Sequence, residues 1–163
     1  PICGMPIRDR TLLEVGSGSG AVSLTAARAG AVVTAVDISA SAVSATRRNA
    51  LRNDLDVDVR HSDLFALVPE RFHVVVVNPP YFRHDPTSEL DHAFHAGAGF
   101  EYFHRLFEEL PHHVAPGGTV LLTLAEGCDA AIGRIAAEHG CRLELRGRST
   151  ALLQWTYLFV VHC

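Results

Sequence analysis

"TLLEVGSGSG", Thr11 to Gly20, decides how the rest of the chain is read. Its first half is apolar enough for a buried strand, and its second half alternates three glycines before an Ala-rich stretch. Glycine lets the backbone turn sharply and approach a ligand closely, and a helix starting there offers free amides to an anion. The pattern predicts a strand over Thr11–Gly16, a tight loop, and a helix over Ala21–Ala29 closed by Gly30. "AVVTAVD" (Ala31–Asp37) then reads as a second strand. A helix from about Ser39 to Arg52 follows, with Ser39 as N-cap because its hydroxyl can accept from a first-turn amide.

The alternation continues to the C-terminus. A third strand is expected over Asp56–Asp63, a fourth over Phe72–Asn78, and a long polar loop over Tyr81–Gly99. Phe100–Val114 reads as a helix ended by Pro116-Gly117-Gly118, then Thr119–Ala125 as the fifth strand and Asp129–His139 as a helix. Arg142–Ser149 and Leu152–His162 read as two strands joined without room for a helix, hence antiparallel. Strands alternating with helices predict an α/β fold, a mostly parallel sheet covered on both faces. Asp54, Asp56 and Asp58 alternate with apolar residues and suit a sheet edge, whereas the fourth strand is apolar on both faces and belongs in the middle. The central pair is therefore expected to be the first and fourth strands, within a single domain over residues 1–163.

The 163 residues suffice for a real core, and 48% hydrophobic with 20% charged residues is a globular balance. Neither Val74–Val77 nor Tyr157–Val161 approaches the roughly 20 apolar residues of a membrane helix. No signal-peptide pattern opens the chain, which favours the cytoplasm. The sequence begins at Pro1 without an initiator Met, so an upstream part is expected to be missing. Net charge is −4 and all 14 basic residues are Arg, a balance that argues against tracking nucleic acid along a broad basic face but leaves a local patch open. Cys3, Cys128, Cys141 and Cys163 form no CxxC pair, so reduced thiols are expected rather than a zinc knuckle or a disulfide framework. His84, His92, His95 and His104 cluster after the fourth strand, and His112–His113 follow a helix. A metal site needs three or four convergent ligands; His92 and His95 supply two on a loop, so no metal is expected.

Asp37 lies at the end of the second strand, seventeen residues after Gly20. A carboxylate there can accept both hydroxyls of a ribose, and the ligand sites of open α/β sheets lie at the carboxyl ends of the strands. The loop alone does not separate a dinucleotide from S-adenosylmethionine, and a tightly packed strand–helix turn without ligand is a third reading. Its spacing is G-x-G-x-G, not the G-x-G-x-x-G that seats a pyrophosphate. Adenosylmethionine has no phosphate, and its methionine carboxylate and ammonium would face such a loop. Asp63 then stands where an adenine amino group could be met, with Leu64 beside the ring; equally, Asp63 could cap a following helix.

"VVVVNPPYF" (Val74–Phe82) ends a buried strand at Asn78 and two prolines. A planar amide or exocyclic amine has a delocalised lone pair, and methylating it requires holding both N–H bonds so that the lone pair is released. The Asn78 side-chain oxygen and the Pro79 carbonyl can accept those two bonds, which strengthen as positive charge develops on nitrogen. Pro79 and Pro80 lock two φ angles and aim the carbonyl in advance, and Tyr81 offers a face for stacking a planar group. A strand stop with a capping Asn is the plainer alternative.

The ordered set of LEVGSGSG, Val36–Asp37, Ser62–Asp63 and Asn78–Tyr81 resembles class I S-adenosylmethionine-dependent amino-methyltransferases, most of all the release-factor glutamine N5-methyltransferases. "HAGAGFEYFHRLFEEL" before a helix and "PGG" before the fifth strand add to the likeness, which runs from about Leu12 to the C-terminus. The resemblance implies a Rossmann-like doubly wound sheet of order 3-2-1-4-5-7-6 with the last strand antiparallel. It implies S-adenosylmethionine as cofactor and S-adenosylhomocysteine as product. Glu14, Gly16, Ser17, Gly18 and Gly20 would line the methionine end, Asp37 and Ile38 the ribose side, Asp63 and Leu64 the adenine. Asn78, Pro79, Pro80 and Tyr81 would hold the target nitrogen, Asn78 bordering the cofactor as well. The implied partner is a release factor met by a monomer. Enzymes acting on adenine or guanine of RNA or DNA share the tetrad, and a small-molecule N-methyltransferase is the other alternative. The resembled enzymes carry a helix or a helical domain before the first strand, where this chain has ten residues, and Arg83, His84 and Asp85 match no family pattern.

Overall fold

A computed structural model describes residues 4–80, 96–97, 99–151 and 154–163, without the side chains of 151 and 154. Tyr81, the histidine-rich loop 82–95 and Cys3 lie outside the described residues. The strands are β1 (Thr11–Val15), β2 (Val32–Asp37), β3 (Asp58–His61), β4 (Phe72–Val77), β5 (Val114–Ala125), β6 (Arg142–Ala151) and β7 (Gln154–His162). Among the described residues the α-helices are α1 (Ala21–Arg28), α2 (Ala40–Arg52), α3 (Glu101–Glu109) and α4 (Asp129–Glu138).

These seven strands form one sheet of order β3-β2-β1-β4-β5-β7-β6, as the resemblance implies, with β1 and β4 central as the sequence pattern requires. Its β3-to-β5 part is parallel, and β7 runs antiparallel to both β5 and β6. Side chains alternate across each strand, so each face collects its own core. On one face Ala26 of α1 packs with Leu12, Val33, Val74, Val76 and Leu121, and Val43 of α2 packs with Ala35 and Val59. On the other, Phe103, Leu106 and Phe107 of α3 and Ile132, Ile135 and Ala136 of α4 cover Leu13, Val75, Val77, Val120 and Leu122. That two-sided burial is what the apolar β4 run required. β3 lies at the edge, where Arg60 pairs with Asp58 and Glu70 at 2.6 and 2.7 Å.

Three expectations change. β3 is four residues long because the end of α2 consumes its approach: Asp54 takes a positive φ of 52°, and the Leu55 amide returns to the Ala50 carbonyl. Beyond His61, the Ser62 hydroxyl accepts from the Leu67 amide at 3.0 Å and winds the chain into a turn. The helix after the loop ends at Glu109, in a 3-10 turn over Leu110–His112 that contains Pro111. Pro116-Gly117-Gly118 instead lies within β5, where the pairing with β4 shifts register between Phe72 and Val74. A side chain at Gly118 would stand 2.8 Å from the Ala115 carbonyl oxygen and 3.0 Å from that of Phe72, so only glycine fits this irregularity.

The cysteine expectation is also corrected. Cys141 and Cys163 form a disulfide, their Cα atoms 4.1 Å apart, just outside the paired ends Arg142 and His162 of β6 and β7. Antiparallel pairing places these thiols opposite each other although 22 residues separate them in sequence. Closing a loop of that size restricts the unfolded chain by about 3 kcal/mol in the chain-entropy account. Cys163→Ser should lower unfolding stability by up to about that amount. Reductant should do the same to the parent and nothing to the variant in urea titrations; equal midpoints for all four samples would contradict the cross-link.

Candidate active site

β1 is flanked by β2 and β4, and Val15 stands opposite Val36 on one side and Val77 on the other. The three strands therefore end level, and the segments leaving them meet at one edge. There the Gly16 and Ser17 amides both donate to the Val36 carbonyl, at 2.9 and 3.0 Å, and the Gly20 amide closes the loop onto the Ser17 carbonyl at 2.7 Å. Gly16 has φ 78°, and a Cβ there would sit 3.1 Å from the Asn78 carbonyl oxygen, so glycine permits this approach of loop to β4. Gly18 differs: a Cβ there would meet nothing within 4 Å, because this backbone faces open space. The Gly18 amide donates to Asp37 Oδ2 at 2.8 Å, and the Ser39 amide donates to Oδ1 at 2.9 Å. One carboxylate thus ties the glycine loop to the start of α2, and each oxygen keeps a further lone pair for a hydroxyl donor.

Glu14 sits beneath this loop, 3% exposed. Its Oε2 accepts from the Ser23 amide at 2.9 Å and from the Ser23 hydroxyl. Gly20 provides no side-chain cap for α1, so Glu14 takes that role from the strand below. Burial pushes its carboxyl up to about 7, against the lowering effect of the Ser23 bonds, and the Asp37 charge adds to the rise. Two further residues support the loop from α2. The Thr46 hydroxyl, fully buried, donates to the Gly18 carbonyl at 3.1 Å, and Asn49 Nδ2 donates to the Ser19 carbonyl at 2.9 Å. The sequence reading missed both; the available signal was two polar residues three apart on the loop-facing side of a helix. The predicted cap at Ser39 is present, its hydroxyl accepting from the Ala42 amide.

Asn78 continues from β4 with an exposed side chain, while Pro79 and Pro80 are buried. Parallel pairing of Val77 with Leu122 places Thr123 beside Asn78, and the Thr123 hydroxyl donates to Asn78 Oδ1 at 2.7 Å. Ile38 exposes 39% of its surface next to Asp37. Asp63 pairs with Arg105 of α3 at 2.9 Å, both side chains being 48% exposed. No helix follows Asp63, so it has none to cap, and the Ser62 hydroxyl closes the turn instead. Leu64 takes a φ of 47° and is buried in the core at 5% exposure. The structure thus gathers Gly16–Gly20, Asp37 and Asn78 over a buried Glu14, with Asp63 engaged by α3.

Comparison with known proteins fits this arrangement. The methyltransferase small domain family matches residues 4–130. The chain belongs to that family. A Methanocaldococcus jannaschii relative named as a candidate protein N5-glutamine methyltransferase is 37% identical over 123 residues, covering 70% of this chain and 61% of its own. A release factor glutamine methyltransferase of Deinococcus radiodurans is 38% identical over 128 residues, covering 69% of this chain and 45% of its own. The chain therefore spans about half the length of these curated relatives. Among solved structures, the T. thermophilus 16S rRNA N2 G1207 methyltransferase in complex with AdoMet and guanosine superposes with a TM-score of 0.68 at 22% identity, over 96% of this chain and 38% of its own. At that identity the likeness establishes the Rossmann-like fold of this methyltransferase small domain.

Glu14 gives the domain a distinctive pH response. Its carboxyl titrates near 7 folded against an ordinary 4.5, so its stabilising share is complete below about pH 4.5 and lost as pH rises through about 7. Glu14→Gln keeps an acceptor for Ser23 without the charge. Its melting temperature should gain on the parent between about pH 5 and 7.5, by an equivalent on the order of 3 kcal/mol at most. A pH-independent difference would show that the buried carboxyl ionises normally.

Proposed function

We propose that this methyltransferase small domain transfers a methyl group from S-adenosylmethionine to a planar nitrogen, and that the nitrogen is the side-chain amide of a glutamine in a peptide chain release factor. The observation that carries the reading is the placement of Asn78 against Gly16 at the level ends of β1 and β4. The residues fit the cofactor. Gly18 faces open space beside Asp37, and a Cβ on Gly18 would project into that space. Gly16, Ser17, Gly18 and Gly20 would hold the methionine end, with Glu14 supporting the loop from below. Asp37 would accept the ribose hydroxyls, Ile38 would cover an apolar face beside it, and Asp63 with Leu64 would meet the adenine.

The cofactor supplies a methyl group on a positively charged sulfur. The chain's own part is to present the nitrogen. Asn78 Oδ1 and the Pro79 carbonyl accept its two N–H bonds, which strengthens both contacts as charge builds on nitrogen. Pro79 and Pro80 hold that geometry through fixed φ angles; the stacking role the resemblance gives Tyr81 falls outside the described residues. The remaining acceleration comes from proximity and orientation. A translation factor as substrate places the reaction in the cytoplasm.

Transfer of a labelled methyl group to a release factor, a bulk RNA pool and small amines tests the substrate; label in RNA alone would move the assignment to a base amino group. Asn78→Ala should retain adenosylmethionine affinity in calorimetry and lose about 10²–10³ in kcat, since a transition-state acceptor is deleted. Turnover near the parent's would refute that role. Asp37→Ala should weaken cofactor affinity roughly tenfold or more, because hydrogen bonds to a charged acceptor vanish; an unchanged Kd would remove the ribose contact.

A further inference from the structure

Thr123 lies on β5, 45 residues from Asn78 in sequence, yet its hydroxyl stands between two oxygens of the β4 end. It is 2.7 Å from Asn78 Oδ1 and 3.4 Å from the Val77 carbonyl. A hydroxyl has one hydrogen, and 2.7 Å is an ordinary O–H···O distance whereas 3.4 Å is long. The proton therefore belongs to the Asn78 bond. The neighbour relation is dictated by register: Val77 pairs with Leu122 in parallel, so the next residues, Asn78 and Thr123, emerge on the same face of the sheet.

An asparagine amide is nearly symmetric in shape, with an acceptor oxygen and a donor NH₂ exchanged by a half-turn about its terminal bond. The proposed chemistry tolerates only one of these orientations. A target N–H must meet the oxygen; meeting the NH₂ would set donor against donor. The Asn78 side chain is exposed at the end of β4, within hydrogen-bond reach of the Thr123 hydroxyl. We propose that Thr123 is a positioning residue that selects the oxygen-presenting orientation of Asn78, an inference resting on the N-methyl-transfer reading above. The hydroxyl donates to Oδ1, which pins the oxygen on the β5 side. A carbonyl oxygen carries two lone pairs, so Oδ1 accepts the target N–H alongside Thr123. The second bond also polarises the amide, a modest cooperative gain.

Thr123→Val is the decisive variant because it preserves shape and β-propensity at a half-buried strand position while removing the hydroxyl. It should lower kcat roughly tenfold, the range of one hydrogen bond's preference, with little change in KM. Calorimetric affinity for adenosylmethionine should be unchanged. Thr123→Ser restores the donor and should recover most of the loss. In the free protein, the Asn78 side-chain amide resonances should move in Thr123→Val and return in Thr123→Ser, a readout that needs no turnover. In an Asn78→Ala background, Thr123→Val should have no further effect on kcat. An unchanged kcat in Thr123→Val, or unmoved Asn78 resonances, would overturn the proposal. So would additive losses in the double variant. If Asn78→Ala itself leaves turnover intact, the fault lies with the role given to Asn78 in the reaction, and the resonance shift alone still decides whether Thr123 orients it.

Discussion

Parallel pairing of β1 with both neighbours sets the level at which everything else is built. Val15 faces Val36 and Val77 at once, so the glycine loop, Asp37 and Asn78 leave the sheet from one plane. A slip of one residue in either pairing would turn the outgoing side chains to the other face. The two-sided apolar character of β4 makes such a slip expensive, because Val74 and Val76 are buried under α1 while Val75 and Val77 are buried under α3 and α4. Core packing thereby fixes the geometry of polar groups that do not themselves pack.

Above that frame the loop is held by polar contacts from three directions. Asp37 reaches it from β2, Thr46 and Asn49 from α2, and Glu14 from beneath through Ser23. Each contact uses a backbone group that the tight turn leaves outside the ladder, so the turn carries few unmet amides or carbonyls. A loop restrained in this way presents its glycine backbone with little ordering left to do when a ligand arrives, which is the physical meaning of a preorganised site.

Much of this was legible in the sequence, because strand and helix periods, turn residues and the ordered motifs are local signals. The central place of β1 and β4, the Ser39 cap and the meeting of Gly16–Gly20, Asp37 and Asn78 follow from such signals, while the full strand order came with the family resemblance. What escaped came from contacts remote in sequence or from competing local chemistry. Thr123 reaches Asn78 across 45 positions, Arg105 reaches Asp63 across 42, and nothing in their spacing announces either pair. The disulfide escaped for the same reason, since strand pairing rather than cysteine spacing brings Cys141 to Cys163. Pro111 was overlooked beside the more conspicuous Pro116-Gly117-Gly118, which β5 absorbs as an irregularity in its pairing.

The cross-link also has a mechanical side. It joins the residue before β6 to the residue after β7, beside the paired Val120 and Val161 of β5 and β7 and away from the Asn78 edge. β6 is the outer strand of the sheet, so the cross-link fastens a sheet edge to the strand inside it. The other end of this strand pair carries Trp155, whose carbonyl accepts from the Glu126 amide and whose ring lies under Arg148 at 5.0 Å. With the chain joining β6 to β7 at that end and the disulfide joining them at the other, the outer strand has no free end from which to peel off the sheet.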